Sequence, residues 1–86
     1  MDIANNIKAL QNQFSAGNYQ EVIRGCKKIL KIIPSNTYVL NLCGLSLQNI
    51  DDQESAIIFF KEAIKSDEKN FAAINNLANS YKARYE

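Results

Sequence analysis

The chain has 86 residues, a net charge of +1 and 47% hydrophobic residues. That length supports one small domain, the apolar fraction excludes a disordered chain, and the charge balance gives no long-range pull toward nucleic acid or an acidic surface. One proline and three glycines are too few for a turn-rich β fold.

Apolar residues fall at helical spacing along the whole chain. Ile3, Ile7, Leu10 and Phe14 form a first stripe. Ala16-Gly17-Asn18 ends that helix, and Asn18 is placed to cap the next, with Glu21 three residues on. Val22, Cys26, Ile29, Leu30 and Ile33 form the second stripe, which Pro34 closes because proline has no amide donor. Leu40, Cys43, Gly44 and Leu47 form the third. Asp51-Asp52 puts acid at the start of the fourth helix, where the dipole favours it, and Ala56, Phe60, Ala63 and Ile64 are its stripe. After Asp67–Asn70 a fifth stripe, Ile74, Leu77, Ala78 and Tyr81, is expected to face the core. Connections this short make neighbouring helices antiparallel.

The stripes repeat at 34 residues. Val22 pairs with Ala56, Cys26 with Phe60, Ile29 with Ala63 and Leu30 with Ile64. Leu40 pairs with Ile74, Cys43 with Leu77, Gly44 with Ala78 and Leu47 with Tyr81. A fixed period of this length is the signature of a stacked helical repeat.

At these residues the sequence resembles the tetratricopeptide repeat (TPR) family. Residues 37–70 carry Leu40, Cys43-Gly44, Leu47, Ala56, Phe60 and Ala63 in the family's order, with Glu68 where proline is usual. Residues 3–36 match over the second helix (Val22, Cys26, Ile29, Pro34), while Asn6, Ala9 and Leu10 replace the usual large residue, Leu and Gly. Residues 71–86 supply one further helix. The resemblance implies an all-α solenoid of antiparallel hairpins filling residues 1–86, in which first helices line a concave groove. Its implied role is protein–protein interaction, as a scaffold or adaptor holding a peptide.

Three asparagines, Asn75, Asn76 and Asn79, lie in the fifth helix although asparagine is a poor helix former. Asn41 precedes Asn75 by one period and should sit beside it on the neighbouring first helix. An amide offers donors and an acceptor, so a row of them can pair with peptide main chain. The run NNLAN is similar to the repeats of O-linked N-acetylglucosamine transferases, where a groove asparagine ladder grips peptide backbone. A plain solvated face is the other reading, since the chain has 11 asparagines. Tyr38, Asn41, Asn75, Asn76, Asn79 and Lys82 are the expected peptide contacts. Leu42 and Leu45 are read as packing between first helices.

Arg24, Lys27, Lys28, Lys31, Lys61 and Lys65 read as the solvated outer face of the second helices, with contact to phosphates or anionic lipid as the weaker reading. The Lys/Asn/Arg clamp with which TPR cochaperones hold acidic C-termini is missing from the matching positions Ile7, Gln11, Leu42, Ala72 and Asn76. Binding to EEVD-ended tails is therefore not expected.

Cys26 and Cys43 read as small buried thiols rather than a disulfide. With no histidine and no glycine-rich phosphate loop, neither catalysis nor a metal or other cofactor is expected, and no small-molecule substrate. The start MDIANNIKAL lacks a basic, apolar signal pattern, and no run approaches about 20 apolar residues, so a cytoplasmic protein without a membrane span is expected. Two further readings stay open. The chain could present substrate as the non-catalytic N-terminal part of a larger transferase. It could also self-associate, as a homodimer through its C-terminal helix, whose Ile74, Leu77, Tyr81 and Tyr85 need cover.

Overall fold

A computed structural model describes residues 2–86 as five α-helices. They are α1 (Ile3–Ser15), α2 (Tyr19–Ile32), α3 (Thr37–Asn49), α4 (Gln53–Ser66) and α5 (Phe71–Tyr85). Each helix packs on the next in chain order, and α3 also touches α5. This is the sequential packing of a helical-repeat architecture.

The 34-residue period governs the backbone as well as the stripes. Helices α1, α3 and α5 start at residues 3, 37 and 71, and α2 and α4 at 19 and 53. Asp2, Asn36 and Asn70 cap the first set, each accepting from the amide three residues on. Such caps satisfy a donor that the first turn leaves unpaired. The tight turns repeat too. Gly17 has φ +81° and Asp51, one period later, has φ +64°. Both sit in the left-handed region, which suits glycine and strains aspartate mildly. Asp52 caps α4 through Ser55, as its position before the helix implies. Asn18 does not cap α2. Its amide turns back and donates to Gln13 Oε1 at 2.6 Å, which ties the turn to α1 instead.

The core is centred on α3. Val39, Leu40, Leu42, Cys43, Gly44, Ser46 and Leu47 are all buried, so this helix is covered on most sides. Ser46 meets its need locally, donating to the Leu42 carbonyl at 3.0 Å. Phe60 of α4 is fully buried and lies on Gly44. A Cβ at Gly44 would come within 2.5 Å of the Phe60 ring, so only glycine admits this approach.

The first hairpin solves the same problem with the sizes exchanged. Leu10 stands one period before Gly44, and Cys26 one period before Phe60. Here the large residue is on α1 and the small ones are on α2. The Leu10 side chain lies over Gly25, where any Cβ would collide with it. Leu10 in place of the Gly44 of the next repeat is thus matched by loss of side chain on the facing helix. Ile3, Ile7 and Phe14 pack only partly, and Phe14 meets Tyr19 edge-on at 5.4 Å.

Gly44→Ala should destabilise the fold by about 1–3 kcal/mol through overpacking against Phe60. Urea unfolding followed by circular dichroism checks this, and an unchanged midpoint would show that the ring can move aside.

Candidate functional site

Side-chain hydrogen bonds tie α1, α3 and α5 together as neighbours. Gln11 of α1 donates to the Tyr38 hydroxyl of α3 at 2.8 Å. Asn76 of α5 donates to Asn41 Oδ1 of α3 at 3.1 Å. Gln48 of α3 reaches α5 twice, donating to the Asn76 carbonyl at 3.0 Å and to Ser80 Oγ at 2.7 Å. Ser80 is fully buried, so the Gln48 contact supplies a partner where water cannot.

The expected contact residues therefore divide. Asn41 and Asn76 are half-buried and bonded to each other. The amide that Asn41 meets is Asn76 rather than Asn75. The reason lies in the period: Asn76 is equivalent to Leu42, which is buried on the side of α3 where helices meet. Asn75, Asn79 and Lys82 are exposed and make no side-chain hydrogen bond or ion pair among the described residues. Tyr38 is also exposed, with its hydroxyl held by Gln11. Leu42 belongs to the main core cluster, and Leu45 packs against it partly buried. Gln11, Gln48 and Ser80 were not evident from the sequence. The one available signal is that Ser46 and Ser80 are 34 apart at positions buried in both helices.

The fifth helix does not bury the stripe expected of it. Ala73 and Ser80 are buried, and Asn76 and Leu77 are partly so. Ile74 and Ala78 are exposed. The equivalents of Ile74, Ala78 and Tyr81 on α3 are Leu40, Gly44 and Leu47, and all three are buried. On α3, Gly44 of this stripe lies against Phe60 of α4, whereas Ala78, its equivalent on α5, is exposed. The buried face of α5 is instead the one turned toward α3 and α4. Phe71, Ile74 and Tyr85 are consequently 77%, 42% and 71% exposed. Tyr81 stacks on Tyr85 with ring centroids 6.3 Å apart. Lys61 lies 5.7 Å over Tyr81, and Arg84 lies 5.2 Å over Tyr85 while pairing with Glu54 at 3.0 Å. These cation–π contacts cover part of the rings with charge.

The remaining candidates carry less chemistry. Cys26 and Cys43 are free, fully buried and in contact across α2 and α3. The hydrogen bond with Cys43, and then burial, push the Cys26 thiol up, so it stays protonated and poorly nucleophilic. Arg24, Lys27, Lys28, Lys31, Lys61 and Lys65 are all exposed. Among the described residues no cluster of His, Cys, Asp or Glu could hold a metal ion, and no helix is long and apolar enough to cross a membrane.

No family model matches this chain, and no curated protein matches it.

Gln48→Leu should destabilise by about 1 kcal/mol because it removes two interhelical bonds. Adding Ser80→Ala removes the orphaned hydroxyl and should recover part of that loss. Thermal melts of the two single variants and the double variant measure the coupling, and additive losses would contradict the pairing.

Proposed function

We propose that the chain is a protein-interaction module of the TPR type. Its side formed by α1, α3 and α5 holds an extended peptide. The observation that carries the reading is the pair of exposed amides, Asn75 and Asn79, without internal partners on a helix whose third amide, Asn76, is already used structurally. Amides four residues apart on a helix share one side. Each presents a donor and an acceptor, which matches the alternating groups of an extended main chain. Tyr38 adds a ring held by Gln11, and Lys82 adds an exposed cation. The 34-residue match of stripes, caps and left-handed turns supports the repeat assignment. In this reading recognition is mostly of backbone, and side-chain selectivity is weak.

The geometry around these amides supports this reading. Asn41–Asn76 and Gln48–Ser80 fix α3 against α5, so the exposed amides project from a braced surface. A rigid surface loses less entropy on binding. The face is short, so affinity is modest.

A composition-matched scramble of a bound peptide should bind within about threefold of the original if the main chain is what is recognised. Asn75→Ala with Asn79→Ala should weaken it about tenfold, two hydrogen bonds each contributing about 0.5–1.5 kcal/mol. Fluorescence polarisation with labelled peptides reads both, and an unaffected double variant removes the amides from the mechanism.

A second reading is favoured by the exposed apolar side chains of α5. In it the chain assembles with itself by covering Phe71, Ile74, Tyr81 and Tyr85, since a contiguous apolar face of this kind marks an interaction site. Light scattering across a concentration series should then show a dimer that Ile74→Glu disperses. A monomer at every concentration would leave peptide capture as the sole reading.

A further inference from the structure

α5 carries a stripe whose ends the internal repeat does not account for. Phe71, Ile74, Ala78, Tyr81 and Tyr85 follow one another at three, four, three and four residues, the spacing of one side of a helix. Phe71, Ile74, Ala78 and Tyr85 are exposed, and Tyr81 is half-buried. One period earlier the two end positions are Thr37 and Asp51, both polar. Phe71 and Tyr85 are therefore not copies of core residues of α3, and neither joins a buried cluster among the described residues. The order of sizes along the stripe is symmetrical. Ala78 is the small centre, Ile74 and Tyr81 stand about one turn to either side, and an aromatic ring stands about two turns away at each end.

A two-fold axis through Ala78 lays such a stripe on itself, which is the condition for contact between identical surfaces. Charge is arranged in the opposite sense, as the same axis needs. Just before α5 stand two acids and a base, Asp67, Glu68 and Lys69, whereas its last turn and the following residue hold two bases and an acid, Lys82, Arg84 and Glu86. We infer that α5 pairs with α5 of a second copy of this chain, antiparallel and crossing at Ala78. This rests on the self-assembly reading above and adds its partner surface and orientation. Two helices that cross at a small residue approach closely there and diverge toward their ends. Phe71 of each copy then fills the widening space beside Tyr85 of the other. Antiparallel pairing sets each basic end beside an acidic one and opposes the two helix dipoles, whereas a parallel pair would set like beside like. Ala73 and Ser80, which are buried within the chain, stay on the far side of the helix.

The test uses the 86-residue chain, for which light scattering should show a dimer. Ala78→Leu puts a larger side chain at the crossing, from an exposed position and with a good helix former. It should weaken the dimer at least about tenfold through overpacking, with helicity retained. Tyr85→Ala removes one ring from each copy and should also weaken it about tenfold. Orientation is read by mixing nitrogen-15 chain with unlabelled chain that carries a nitroxide at Glu86→Cys. Cys26 and Cys43 are fully buried and leave the new thiol as the exposed one. The nitroxide should broaden the amide signals of residues 69–71 of the other copy more than those of residues 82–85. The reverse order overturns the antiparallel pairing, and so does a dimer that Ala78→Leu leaves intact; self-assembly itself would survive either result. A monomer at every concentration overturns the pairing together with the self-assembly reading beneath it.

Discussion

The closeness of α3 to α4 depends on one missing side chain. Gly44 lets the Phe60 ring lie against the α3 backbone, and that ring is fully buried. Burying an aromatic side chain is among the largest single contributions in a small domain. A chain this short has few other large residues to spend on a core. Val39, Cys43 and Leu47 belong to the same buried cluster as Phe60, so the whole central hairpin hangs on this approach. The first hairpin keeps the constraint and reverses it, with Leu10 against Gly25. Close approach needs one large and one very small partner, but it does not matter which helix carries which.

Much of this was legible in the residues. The number of helices and their order followed from the stripes, because apolar spacing reflects burial directly. The core of α2, α3 and α4 also followed: Val22, Cys26, Leu40, Gly44, Ala56 and Phe60 are buried as their periodicity implies. The caps were only partly readable. Asp52 bonds as its position suggests, whereas Asn18 prefers Gln13, a choice between two nearby partners that spacing cannot rank. The recurrence of Asp2, Asn36 and Asn70, and of Gly17 and Asp51, was present in the sequence as a period, but its meaning is conformational.

The fifth helix was misread for a physical reason. Periodicity identifies which residues share a side but not whether a neighbour exists to cover them. Ile74, Ala78 and Tyr81 repeat the spacing of the buried stripe of α3, yet Ile74 and Ala78 stay exposed while Gly44 lies under Phe60 of α4. The candidate contact residues were separable only with coordinates. Asn75 and Asn76 are adjacent and chemically identical, but they lie about 100° apart around the helix, so one bonds to α3 and the other meets solvent.

The stacked pair Tyr81 and Tyr85 has a kinetic meaning. The two rings stand 13° from parallel, with Lys61 over one and Arg84 over the other. Two large side chains are thus already ordered in the uncovered molecule, and the entropy of fixing them is not charged to an encounter. In the self-assembly reading proposed above, a second copy would meet a stacked pair of rings rather than two separate side chains.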